Sequence, residues 1–183
     1  MIARRALLLC ALLFAAPAQA FKGVDVTAQG YGGDFHLIGH DGKPRTAIDF
    51  AGKVVLISFG FTHCPDVCPT TLATLASAVR SLGSEATRVQ VLFVTIDPAR
   101  DTPPVLAKYV TAFEPSFLGL SGDAAATRQV ARNFHVFYQR VGDNFDHSAG
   151  SYLIDAKGRT RLYLRQTLSS EDMAYDIRQL LSE

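Results

Sequence analysis

Two cysteines three residues apart, in Phe59-Gly60-Phe61-Thr62-His63-Cys64-Pro65-Asp66-Val67-Cys68-Pro69, are the residues of this chain best placed to do chemistry. A disulfide between Cys64 and Cys68 would close a very short loop. Chain-entropy stabilisation grows with loop length, so a purely structural bridge here holds little together. Such a pair serves better as a redox couple or as ligands for a soft or borderline metal. Pro69 disfavours helical dihedrals at Cys68 and suits the first helical position. The spacing therefore predicts Cys68 at the N-cap of a helix, with Cys64 one loop turn earlier. The positive end of that helix is expected to lower the pKa of a nearby thiol. A loop also lets the two sulfurs either bond or part around an ion. Ideal helical i,i+4 neighbours have Cβ atoms about 5–6 Å apart, whereas a disulfide needs roughly 3.5–4.5 Å.

The elements that must hold this pair are legible around it. Residues 53–59 are a nearly continuous apolar run rich in β-branched side chains, which suits a strand buried on both faces. A helix is predicted over 69–82, with Leu72, Leu75, Val79 and Leu82 on one face and Gly83 at its end. Upstream, 35–38 and 44–48 form a hairpin around a turn at 40–43. Downstream come a strand at 89–96, a helix at 103–113 and a short strand at 117–120. Asp123 then caps a helix to about 134, and a strand candidate follows at 136–140. Residues 151–155 and 160–165 pair as a hairpin, and Ser169 or Ser170 caps a last helix to 181. The order βαβ followed by ββα is that of an α/β thioredoxin-like fold with an N-terminal β-hairpin and a central insertion. The cysteines then lie at the carboxyl end of the first long strand, where sites in open α/β sheets gather.

Composition narrows the function classes. Hydrophobic residues make up 48% and charged residues 19%, enough for a full core and against disorder. A formal charge of +1 gives no electrostatic case for nucleic acid as a partner. Arg4 and Arg5, an apolar run at 6–16 and the A-x-A site Ala18-Gln19-Ala20 read as a signal peptide over 1–20. The apolar run is shorter than the ~30 Å hydrocarbon core requires of a helix, so no stable membrane span is expected. Cys10 is read as an apolar filler of this leader. The domain is then 21–183, exported to an oxidising compartment, and Cys64 and Cys68 are its remaining cysteines.

Five histidines are available, His36, His40, His63, His135 and His147. His63 competes as a ligand by proximity, but a residue adjacent to Cys64 tends to point away from it. His147 lies in a polar loop just before the strand at 151–155. In a thioredoxin-like fold that loop faces the cysteine loop, where thioredoxins place a cis-proline, and no proline stands here. On spacing alone a solvated side chain is the simpler reading of His147. Two thiolates with one imidazole would suit Cu(I) or zinc, with imidazole also suiting Cu(II). Three ligands fall short of a closed tetrahedral zinc site, so such a set in an exported protein points to copper held reversibly. Asp97 and Asp146 are candidate supports for the ligands; a helix-approach cap and a turn residue are equally simple readings.

These residues resemble the Sco/SenC family. The cysteine segment through Thr70-Thr71-Leu72 is similar to its signature. Two further blocks are similar to the family's, Val94-Thr95-Ile96-Asp97-Pro98-Ala99-Arg100-Asp101-Thr102-Pro103 and Asp146-His147-Ser148 with Tyr152-Leu153-Ile154-Asp155. Phe61 departs from the usual tyrosine, and the segment before Asp146 is shorter than usual. The resemblance implies a thioredoxin-like fold and binding of Cu(I) and Cu(II) by Cys64, Cys68 and His147. It further implies a periplasmic copper metallochaperone that assists assembly of the copper centre of cytochrome c oxidase. The expected partner is a copper-receiving protein, an oxidase subunit or another copper chaperone, and the chain is expected to be a monomer. Two alternatives stay open: a thiol–disulfide oxidoreductase using Cys64 and Cys68 as its catalytic pair, and a structural or sensing module whose pair is simply oxidised.

Overall fold

Every residue of Val54–Gly60 is buried, and its side chains feed two different cores. Val54 and Leu56 pack with Leu72, Leu75, Ile177 and Leu180. Val55, Ile57 and Phe59 pack with Leu92, Val94, Val130 and Phe134. This is the period-two alternation of a strand covered on both sides. The structure is a computed structural model and describes residues 20–183; all but the last residue of the expected signal peptide lies outside them.

In chain order the strands are β1 (Val24–Asp25), β2 (Leu37–Gly39), β3 (Pro44–Arg45), β4 (Val54–Gly60) and β5 (Val89–Thr95). They continue as β6 (Leu118–Ser121), β7 (Tyr138–Val141), β8 (Asn144–His147), β9 (Ser151–Ile154) and β10 (Thr160–Leu164). The helices are α1 (Val67–Ser81), α2 (Pro103–Thr111), α3 (Ala124–Asn133) and α4 (Ser170–Leu181). Eight strands form one sheet in the order β1-β10-β9-β4-β5-β6-β2-β3. Strands β4, β5 and β6 run parallel, and β9 runs antiparallel to β4. The units β4-α1-β5 and β9-β10-α4 form the thioredoxin-like core. Helices α1, α2 and α4 contribute to one core, and α3 to the other. Among the described residues no helix is long and apolar enough to cross a membrane.

Local chemistry accounts for several boundaries. Asp123 Oδ1 accepts from the Ala125 and Ala126 N–H groups and starts α3. Ser169, rather than Ser170, caps α4 by accepting from the Asp172 N–H. The N-terminal hairpin is shorter than expected. The Asp49 carboxylate accepts from the Thr46 N–H at 2.7 Å, closing a capping box that turns Ala47–Phe50 into a 3-10 helix. Strand β2 also pairs with β6 and extends the sheet. Strand β1 was not expected. It is anchored by the buried Asp176, which accepts from the Lys22 and Gly23 N–H groups at 2.8 and 2.7 Å.

The largest departure falls at 138–147. The expected strand and polar loop form a separate antiparallel hairpin, β7–β8, with Tyr138 opposite His147. Its turn is Gly142-Asp143, with Gly142 at a φ of 60°. The Phe145 ring, packed near Phe61 and Tyr138, draws this polar segment onto the core.

The β9–β10 turn rests on Asp155. Its carboxylate accepts from the Lys157 N–H, the Arg159 N–H and the Arg159 guanidinium, and it pairs with Arg161. Burial opposes the charge, but these bonds outweigh it and hold the Asp155 pKa below its ordinary value. A depressed native pKa stabilises the fold above the unfolded carboxylate pKa of about 4, and the benefit fades as pH falls through the native value. Asp155→Asn should therefore cost about 1–3 kcal/mol at neutral pH. In urea unfolding the gap from the parent should narrow in acid; an equal gap at both pH values would refute this account.

Candidate metal centre

Strand β4 delivers the cysteine loop. At its last residue the Gly60 carbonyl accepts from the Ile96 N–H at 2.8 Å, and the chain then turns. A Cβ on Gly60 would lie 2.6 Å from Cys68 Sγ and 3.0 Å from the Phe93 ring. Glycine thus makes the seat in which the Cys68 sulfur rests. The loop closes when the Cys64 N–H donates to the Phe61 carbonyl at 3.2 Å.

Cys68 does not sit at the N-cap. Helix α1 starts at Val67 with Asp66 in the capping position, so Cys68 and Pro69 both lie in the first turn. First-turn N–H groups have no acceptor within the helix, which is why Pro69 is accommodated there. The Cys68 N–H instead points at Cys64 Sγ, 3.4 Å away. Cys68 is only 3% exposed. Burial pushes its thiol pKa well up, with Cys64 and Asp101 adding to the rise. This reverses the expectation of a lowered thiol pKa for Cys68: desolvation of the sulfur outweighs the helix terminus.

His147 ends β8 and reaches the same place from the other side. Its Nε2 lies 3.8 Å from Cys68 Sγ, and its Nδ1 is 2.9 Å from the Ser148 carbonyl. A carbonyl only accepts, so Nδ1 carries the proton and the Nε2 lone pair faces the thiol. The ring is further held edge-on to the buried Phe61, centroids 6.0 Å apart. Below the hairpin, the Ser148 N–H donates to the Phe137 carbonyl and Ser148 Oγ accepts from the Phe137 N–H. Gly150 (φ 131°) lets the chain pass over the Tyr163 ring into β9; a Cβ there would lie 2.5 Å from the Tyr163 hydroxyl. No cis peptide bond occurs among the described residues.

One ligand atom each from Cys64, Cys68 and His147 lie within 4.8 Å of one another. A cavity of about 300 Å³ opens beside them, walled by Phe61, Pro65, Val67 and Phe145. Two sulfurs and one unprotonated imidazole nitrogen are the donor set for a soft or borderline cation. They fit a cuprous or cupric ion better than a hard oxygen-seeking one.

Asp97 and Asp146 are placed differently from each other. Asp97 is buried, pairs with the Arg100 guanidinium, and donates its backbone N–H to Thr95 Oγ1. Asp146 is exposed on β8 opposite Gln139 and lines the cavity. The bond that orients His147 comes from the Ser148 carbonyl. Sequence reasoning missed Asp101, which is fully buried. Its carboxylate accepts from the Thr62 N–H (3.0 Å), the Thr62 hydroxyl (2.6 Å) and the Thr95 hydroxyl (2.6 Å), tying the cysteine loop to β5. Asp101-Thr102-Pro103 was its signal, hidden because an aspartate before a helix also reads as a cap.

A family model, SCO1/SenC, matches residues 25–182. The mitochondrial protein SCO2 homolog of Bos taurus is 41% identical over 154 residues, covering 80% of this chain and 58% of that protein. The chain thus spans less than two thirds of the length of that relative. The structure of Bradyrhizobium japonicum ScoI with copper bound is 38% identical, with a TM-score of 0.77 over 82% of this chain and 99% of that one. The solution structure of apo Sco1 from Thermus thermophilus is 40% identical, with a TM-score of 0.80 over 91% of this chain and all of that one.

Gly60→Ala should displace the Cys68 sulfur and weaken cuprous-ion binding by about tenfold or more, the scale of losses when a ligand's support is changed. Chelator competition reads the affinity, and circular dichroism checks the fold. A folded variant with undiminished affinity would show that this glycine does not set the sulfur's position.

Proposed function

The chain belongs to the SCO1/SenC family, and from that premise we propose that it is a copper carrier that holds one ion through Cys64, Cys68 and His147. The observation that carries the reading is the convergence of these three donors within 4.8 Å from segments 79 residues apart. Copper here is cargo, taken up and handed on. Its destination is the copper centre of cytochrome c oxidase, in keeping with Sco proteins as oxidase assembly factors. The leader over 1–20 would export the domain to the periplasm, where the receiving partner is an oxidase subunit or another copper chaperone.

The chain's own residues do three things in this role. The Ser148 carbonyl keeps the His147 Nε2 lone pair available. The Gly60 seat and the surrounding core keep Cys68 dry, so an arriving ion must displace the proton that burial holds on its sulfur. The half-buried Cys64 stands nearer the cavity and offers the outer sulfur. Because the ligands are thiolates, forming a Cys64–Cys68 disulfide would remove two of the three donors. Oxidation is therefore the natural off-switch for binding.

Titration of the reduced protein with Cu(I) against a competing chelator should give one ion per chain. Cys64→Ala, Cys68→Ala and His147→Ala should each weaken it by at least about tenfold. Undiminished affinity in all three would sink the copper reading. In a second experiment, copper capacity should fall in step with disulfide formation as the protein is poised at rising potentials. Equal binding by the oxidised protein would refute the redox coupling.

A further inference from the structure

His63 stands immediately before Cys64, and its side chain is 54% exposed. It lies outside the three-donor cluster. Its surroundings nonetheless prepare it as a ligand. The Thr62 hydroxyl spends its only proton on Asp101 Oδ1, 2.6 Å away. The same hydroxyl lies 3.1 Å from His63 Nδ1, and Asp101 Oδ1 is 3.8 Å from that nitrogen. With the hydroxyl proton committed, this contact is made by Nδ1–H donating to Thr62 Oγ1. The chain Asp101–Thr62–His63 thus mirrors the Ser148 carbonyl on His147: each puts the ring proton on Nδ1 and leaves Nε2 bare. Carboxylate or carbonyl support of this kind is what orients metal-binding imidazoles.

We propose that His63 is an outer copper ligand, the first donor an incoming ion meets and the last it leaves. This rests on the copper reading above. Transfer of a thiolate-bound ion proceeds by ligand exchange, a new donor attaching before an old one departs. Copper keeps its oxidation state throughout. On uptake the His63 Nε2–Cu bond forms as a bond to the donor molecule breaks, and it then yields to Cys64 Sγ, whose proton passes to solvent. On release the Cys64 Sγ–Cu bond breaks as the His63 Nε2–Cu bond forms, and the latter breaks as the acceptor's bond forms. Of the inner donors, Cys68 is buried, and the partly buried His147 turns its Nε2 toward it. Cys64 and His63 are adjacent on the more open side of the loop. His63 therefore sets how fast copper moves, while Cys64, Cys68 and His147 set how tightly it is held.

Stopped-flow transfer of Cu(I) between the protein and a cuprous chelator, run in both directions, tests this. His63→Ala should slow uptake and release alike, by about tenfold, so that the equilibrium constant changes little. His36→Ala, remote from the Asp101 chain, should leave both rates at the parent values. In Cys64→Ser/Cys68→Ser, which lacks the inner sulfurs, Cu(II) should still broaden the His63 ring protons in NMR spectra. Parent-like rates in His63→Ala, with the parent binding copper tightly, would overturn this inference alone. A loss of equilibrium affinity matching that of His147→Ala would make His63 a resident ligand and overturn its exchange role. A parent protein that binds no copper would overturn the reading beneath it as well.

Discussion

Ser58 of β4 sits opposite Ser151 of β9, and the candidate metal centre depends on that antiparallel register. Because the strands run in opposite directions, the end of β4 lies beside the start of β9. The cysteine loop leaves one and His147 approaches the other. Both faces of β4 are buried, so a slip by one residue would send Val54, Leu56 and their neighbours into the wrong cores. The register is therefore held by the whole interior. The site inherits its geometry from the sheet rather than from contacts among its own few residues.

Two supports then refine what the sheet brings together. On one side, Asp101 reaches from beyond β5 to hold Thr62, and with it the loop that carries Cys64. On the other, the β7–β8 hairpin presses Phe145 toward Phe61 and presents the His147 ring edge-on to it. A fully buried carboxylate is tolerated because every bond it accepts is short and directional. The inner side of the candidate centre is buried, and the outer side is half open.

Burial also sets the character of the sulfurs. Close to a helix terminus, a thiol in water's reach would be expected to ionise readily. Cys68 is instead kept neutral by desolvation until something displaces its proton. The backbone N–H that would have served the helix end is turned to Cys64. The two cysteines of one short motif therefore differ in exposure and hydrogen bonding, although their sequence neighbourhoods look alike.

Features that rest on short-range physics were legible in the residues themselves. The apolar run at 53–59 is β4, Asp123 and Ser169 cap the helices they precede, and Cys64 and Cys68 stand together at a strand's carboxyl end. Each follows from periodicity, capping or spacing, which act over a few neighbouring residues. Pro69 misled about Cys68 because a first-turn proline is tolerated at more than one position. The polar segment at 142–148 hid a hairpin because its anchor, the Phe61–Phe145 contact, spans 84 residues. Asp101 was passed over because its partners Thr62 and Thr95 come beside it only when β4 and β5 pair. The sequence by itself thus determined the strand, the helices and the pair of thiols. Its resemblance to a family named His147, but only the tertiary structure shows how that ring comes to face the thiols, which carboxylate secures their loop and which sulfur is kept dry, because those depend on strand pairing and burial between residues far apart in the chain.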